Sequence, residues 1–329
     1  MVTVKSKLKH ETIIYHPRHT SAVVPPEMYN TTISSSNSNV QLEVSVYLPT
    51  TDSSSSSSPH ILVFVHPWGL LGGSWYNTKG LAKRCSSQGY TSVIFNLRGV
   101  GKSTGRATCC GHSEVHDVVA VAEFVFNRYC TETTSKIWLV AQSAGAPTAG
   151  SAARKLGIDK CSGAVFIGYT FGCATSVLFG RHYAAASRFS PTQRALHIIG
   201  TADCFTTPAS MKRAVARNQY STTVFLLDGV GHFEIEAPQY DSLVASAVVC
   251  FVEIENENEN NVKQFEQVLR DHRSNGSVFQ HVPKQTKQPS CFCCPPWSYC
   301  DTCTCFVFWC LTILVGIITL VILVSEDLL

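Results

Sequence analysis

The sequence predicts an α/β fold, with a mostly parallel twisted sheet covered by helices on both faces. Two observations carry this. Short apolar runs recur between residues 61 and 228, apolar throughout rather than alternating, as strands buried on both faces are. Stretches of helical periodicity lie between most of them, the pattern that gives a doubly covered parallel sheet.

Taken in order, residues 1–39 read as an N-terminal extension. "MVTVKSKLKHETIIYH" carries lysines with no apolar run after them, so no secretory signal peptide is expected. The main folded domain is expected over 40–254, beginning with "VQLEVSVYL" at 40–48, which alternates like a half-buried strand. The loop "PTTDSSSSSSP" follows, polar and low in complexity. Buried strands are expected at 61–66, 92–97, 136–141, 163–169, 196–200 and 222–228. Helices are expected at 114–129, where apolar residues 118, 119, 121, 122, 125 and 126 form one stripe, and at 144–157, 207–219 and 234–254. Residues 170–194 exceed what a simple crossover needs and are expected to form a small cap. Residues 255–290 read as a polar linker that opens on "ENENENN", holds one short amphipathic stretch, and is expected to be disordered over 274–290.

The end of the chain differs in kind. Residues 306–324, "FVFWCLTILVGIITLVILV", are 19 uncharged and mostly apolar residues, about long enough for a transmembrane helix. Lys284 and Lys287 precede this span and Glu326 and Asp327 follow it, which puts the main body in the cytosol by the positive-inside rule. The expected localisation is therefore a single-pass C-terminal anchor, with the short span favouring a thinner membrane such as the endoplasmic reticulum. Asn30-Thr31-Thr32 and Asn275-Gly276-Ser277 are N-glycosylation sequons that a cytosolic domain leaves bare. Of the 15 cysteines, seven crowd into the Cys-rich juxtamembrane segment 291–305 and Cys310. Cys291, Cys293, Cys294, Cys300, Cys303 and Cys305 are candidate S-acylation sites. Metal binding is the alternative, but the crowded spacing offers no clean pair of C-x2-C knuckles, and a merely Cys-rich collar is the third reading. The net charge of +3 is small and no basic stripe stands out, so nucleic acid is not an expected partner.

The chemistry centres on "KIWLVAQSAGAPTAG", residues 136–150. A strand that ends in small-x-Ser-x-small and passes at once into a helix suits a nucleophile elbow, with Ser143 at its tip. The same residues suit a serine that caps a helix. Context favours the elbow. The loop "HPWGLLGGSW" after the strand at 61–66 can supply one oxyanion donor. Pro67 has no N–H, so Trp68 is the candidate, with Ala144 N–H as the other. Asp203 stands just past the strand at 196–200, and His232 just past the last strand. A serine hydroxyl needs a neighbouring base, and the base needs a carboxylate to fix its tautomer. Asp228 is a rival carboxylate; Asp203 is preferred because its own loop aims it at the histidine. His66 reads as structural. "RGVGKSTG" fails as a phosphate-binding loop, because the required first Gly is Asn96.

The set "HPWGLLGG", "FNLRGVGKSTG", "SEVHDVVAV", "AQSAG", "GTAD" and "GVGHFEIE" resembles the α/β-hydrolase superfamily. It is most similar to a small-cap serine hydrolase group with a His-Pro loop that ends in Gly-Gly, then F-N-x-R-G-x-G-x-S-x-G, then G-E-x-x-D. The resemblance covers about residues 40–252. Ala141 stands where the elbow usually has Gly, and Ser113 replaces the Gly before Glu114, while Asp117 keeps its spacing. Glu114 and Asp117 fall in a first helical turn and read as structural. The expected activity is that of a membrane-anchored serine hydrolase. It acts on a carboxylic ester or thioester of a small molecule, lipid or acylated substrate, with no metal or organic cofactor. The alternative is a non-catalytic binding or scaffold protein of the same fold at a membrane. Acyl transfer differs from hydrolysis only in the entering nucleophile, and the sequence leaves both open.

Overall fold

The computed structural model describes residues 28–35, 39–49, 60–130, 135–171, 179–182, 189–216, 218, 220–253 and 278–282. Nine strands form one sheet in the order β1-β2-β4-β3-β5-β6-β7-β8-β9. They are β1 Met28–Ser34, β2 Gln41–Tyr47, β3 Ile61–Val65, β4 Thr91–Phe95, β5 Ile137–Gln142, β6 Cys161–Ile167, β7 Arg194–Gly200, β8 Ser221–Leu227 and β9 Val278–Val282. The six central strands, from β4 to β8 in that order, pair in parallel. The pairs at both edges are antiparallel: β1 with β2, β2 with β4, and β8 with β9.

Alternate side chains of the central strands feed two separate cores. Val63, Val65, Leu139, Ala141, Phe166 and Ile199 point to one face, packed beneath helices α2 His112–Tyr129 and α3 Ala146–Lys160. Leu62, Phe64, Val140, Ile167, Ile198 and Leu227 point to the other, beneath α1 Tyr76–Ser87 and α5 Asp241–Glu253. The short α4 Pro208–Val215 adds Met211 and Val215 to the first face. Apart from Ala141, each of these buried side chains contributes about 1.5–3 kcal/mol. Double burial is why the central strands read as unbroken apolar runs. Small residues on α3 (Ala146, Ala149, Ala152, Ala153) let it lie close against the sheet.

The structure departs from the sequence expectations at the edges. The sheet starts at Met28, inside the stretch read as an extension. It ends with Val278–Val282, inside the stretch expected to be disordered. Both are edge strands, which need no apolar run because one side stays open. The helices expected at 207–219 and 234–254 are shorter, at Pro208–Val215 and Asp241–Glu253. Residues 231–240 instead form turns and a 3-10 segment at Pro238–Tyr240. Of the expected cap, only 170–171, 179–182 and 189–194 are described, so its form lies outside the described residues. So do most of the linker, the six candidate S-acylation cysteines and the apolar stretch 306–324. Among the described residues, no helix is long and apolar enough to cross a membrane.

Candidate active site

Parallel pairing puts the carboxyl ends of β3, β5, β7 and β8 along one edge of the sheet. That edge is where ligands bind in open α/β sheets. β5 is buried along its whole length and stops at Gln142. Ser143 follows at φ 46°, the one non-glycine residue with positive φ among those described. α3 then starts at Ala146, with Pro147 in its first turn where the missing N–H costs nothing. Gly145 has a packing reason. A Cβ there would lie 2.3 Å from the His66 carbonyl oxygen, so only Gly lets the loop after β3 pass. Ala141, at the position where Gly is usual, sits buried between Val65 and Phe166 with its methyl in the core.

Three polar side chains meet at the tip. Ser143 Oγ lies 2.7 Å from His232 Nε2, and His232 Nδ1 lies 2.7 Å from Asp203 Oδ2. A carboxylate only accepts, so Nδ1–H donates to Asp203 and Nε2 is left to accept the Ser143 hydroxyl proton. Asp203 Oδ1 takes the N–H groups of Phe205 and Thr206, each at 2.8 Å. Thr206 is itself tied to the end of β6, since its hydroxyl donates to Tyr169 O and accepts Phe171 N–H. His232 and Asp203 are buried, while Ser143 is partly open. Gly168, at φ 61°, makes room for the imidazole; a Cβ there would stand 3.2 Å from His232 Cε1. The rival Asp228 is exposed and accepts the Thr201 hydroxyl at 2.9 Å.

The loop after β3 lies against the elbow. Trp68, Ala144 and Phe179 pack in one buried cluster, so the two residues expected to supply oxyanion donors are neighbours. The Trp68 indole N–H donates to Thr108 O at 3.1 Å. Glu114 fixes Thr108 in turn by accepting its N–H and its hydroxyl. Asp117 binds Arg98 through Nε at 2.9 Å and Nη2 at 2.6 Å, a buried pair. Both acidic residues are thus engaged in holding loops. His66 is buried, with Nδ1 2.6 Å from Pro67 O and Nε2 accepting Leu97 N–H at 3.0 Å. Burial pushes its pKa down to about 4, with the Pro67 bond opposing. At "RGVGKSTG" the Glu43 carboxylate accepts Lys102 N–H at 2.9 Å and, just before the segment, Asn96 Nδ2–H at 2.8 Å.

Several residues here escaped the sequence reading. Gly168 makes way for His232. Phe205 and Phe233 stand edge-on to the imidazole, with ring centroids 4.5 and 5.2 Å from it. Glu236, four residues after His232, has a buried Oε1 without a hydrogen-bond partner. Burial pushes its pKa up to about 7, with His232 opposing and Asp203 adding to the rise. "GHFEIE" contains two of these residues, Phe233 and Glu236, but nothing in their order separates a core Phe or a surface Glu from a residue beside the imidazole.

Residues 60–182 match the family described as alpha/beta hydrolase fold. A comparison with curated proteins found no match. Among solved structures, an α/β serine hydrolase without lid from Xanthomonas campestris is similar at 23% identity and a TM-score of 0.54, covering 74% of this chain and 98% of that one. An alpha-beta serine hydrolase homologue from Coxiella burnetii is similar at 22% identity and a TM-score of 0.53, covering 76% and 99%. An esterase from Pyrococcus furiosus is similar at 16% identity and a TM-score of 0.51, covering 73% and 97%. At these identities the likeness speaks for the fold alone. The sheet order, the elbow and these likenesses together give the chain the α/β-hydrolase fold, with the family match itself confined to residues 60–182.

Proposed function

We infer that the protein is a serine hydrolase that cleaves a carboxylic ester or thioester through an acyl-enzyme on Ser143. One observation carries this reading: a serine held at φ 46° with Oγ 2.7 Å from an imidazole that is 2.7 Å from a buried carboxylate. A capping serine needs neither the strained backbone nor the imidazole. The esterase and serine hydrolase names of the similar structures agree with it.

In the proposed reaction, Ser143 Oγ attacks the carbonyl carbon while its proton passes to His232 Nε2. Asp203 holds the imidazole in the tautomer that can accept it and favours the imidazolium that forms. Trp68 and Ala144 N–H groups stabilise the oxyanion, and a single such donor is worth about 10²–10³-fold in rate. Breakdown expels the leaving group with the proton from Nε2. Water then enters and gives a proton to Nε2 as its oxygen bonds the carbonyl carbon; the bond from that carbon to Ser143 Oγ breaks, Nε2 returns the proton to Oγ, and the acid leaves. Labelling with a fluorophosphonate probe tests this reading. The wild type labels and Ser143→Ala does not; label retained in the variant, or a wild type that never labels, ends it.

Membrane anchoring is the second part of the proposal. Its support is the uncharged stretch 306–324. The full chain is expected to stay with membranes through an alkaline carbonate wash, and a chain cut after residue 290 to be released. Full-length protein in the wash would remove the anchor from the proposal.

A further inference from the structure

Among the described residues, the exposed large apolar side chains are Leu70, Leu71, Tyr76 and Phe233. The first three lie in or just after the loop that follows β3. Phe233 directly follows His232 and is 72% exposed. Its ring stands edge-on to His232 and, at 5.9 Å between centroids, edge-on to Phe205. Phe205 is in turn edge-on to His232. The three rings make one aromatic corner, and its open side belongs to Phe233.

The direction of proton transfer says what passes that corner. Acylation forms the bond from Ser143 Oγ to the carbonyl carbon and breaks the bond from that carbon to the leaving oxygen or sulfur. The proton taken from Ser143 is handed by His232 Nε2 to the leaving atom. That atom must therefore come within about 3 Å of Nε2. Whatever it carries therefore starts beside the imidazole, and Phe205 and Phe233 are side chains whose rings stand against that imidazole. An exposed Phe gains free energy when an apolar group covers it.

We propose that Phe233 selects the leaving group, and that the natural substrate is an ester or thioester of an apolar alcohol or thiol that packs on this ring with Phe205 behind it. This rests on the reading of Ser143 as nucleophile. It has a kinetic signature that a merely shielding ring lacks. Once the leaving group has gone, water occupies its place, and Phe233 has nothing of the substrate to hold. The ring therefore matters for acylation and not for hydrolysis of the acyl-enzyme.

The test uses the full chain and two acetate esters, benzyl acetate and methyl acetate, which share one acetyl-enzyme. For Phe233→Ser, kcat/KM on benzyl acetate is expected to fall about threefold to tenfold, the range of a single aromatic contact. On methyl acetate it is expected to stay within about twofold, with the rate of acetyl-enzyme hydrolysis unchanged. Phe233→Leu retains part of the benzyl preference. Equal losses on both esters, or slower acetyl-enzyme hydrolysis, would mean that Phe233 acts only through His232, and either overturns the proposal. So does an unchanged preference. Fluorophosphonate labelling of each variant reports whether it has folded, and Phe233→Leu carries the comparison if Phe233→Ser fails to label. A wild type that labels but turns over neither ester overturns the proposal alone. One that does not label overturns the nucleophile assignment first.

Discussion

Ser143 sits in a backbone region that side chains normally avoid, at a cost of about 1–3 kcal/mol. Its neighbours hold it there: a fully buried strand on one side, a helix start on the other, and the carbonyl of His66 pressed against Gly145. Glu236, four residues after His232, is under a different tension. Its carboxyl ionises in the folded protein only near pH 7, against an ordinary value of 4.5. Between those values the unfolded chain has given up the proton and the native protein keeps it. Stability therefore falls as pH rises through this window, and the loss persists above it. Glu236→Gln removes the titration. In urea unfolding, the midpoint difference between variant and wild type is expected to move in the variant's favour from pH 4 to pH 8. A difference that does not change with pH would show that the carboxyl ionises normally.

At the scale of elements, what could be read in the sequence follows how strongly burial constrains it. β3, β5 and β8 are buried on both faces, so their apolar runs announce them to within about two residues. The order of the three loops that bear Ser143, Asp203 and His232 was legible for the same reason, since each begins where a buried run stops. β1, "MYNTTIS", was not: among the described residues it pairs on one side only, and four of its seven residues are Asn, Thr or Ser. β9 is a five-residue strand set in a polar stretch, recruited by the open edge of β8. Its own propensity does not mark it out. The end of the expected helix at 234–254 was misplaced because Asp241, rather than Glu234, opens the helix, and the residues before it are taken up in presenting His232. The aromatic corner was invisible because two Phe residues near a histidine look the same whether they fill a core or flank a site.

At the scale of the whole molecule, burial depresses the pKa of two histidines, His66 and His197. His66 has hydrogen-bond partners, whereas His197, fully buried on β7 among Phe166, Tyr169 and Phe171, has none at either ring nitrogen. Burial pushes the His197 pKa down to about 3 from an ordinary 6.5. Between these values the unfolded chain binds a proton that the native state refuses, so stability drains away as pH falls below about 6.5. His197→Leu is expected to add about 1–3 kcal/mol at pH 7 by removing unpaired polar atoms, and to lose stability less steeply towards pH 4. A parallel acid profile in chemical denaturation would count against a neutral buried His197. The antiparallel pairing of β9 reaches further still. Val282 lies opposite Thr222, near the start of β8, so the chain leaves the sheet at the end away from Ser143. From there 23 residues lead to the apolar stretch at 306. If that stretch is held in a bilayer, the length of chain between sets an upper limit of roughly 75–80 Å on how far the last strand can stand from it, with the edge that carries Ser143 at the end of the sheet away from the tether.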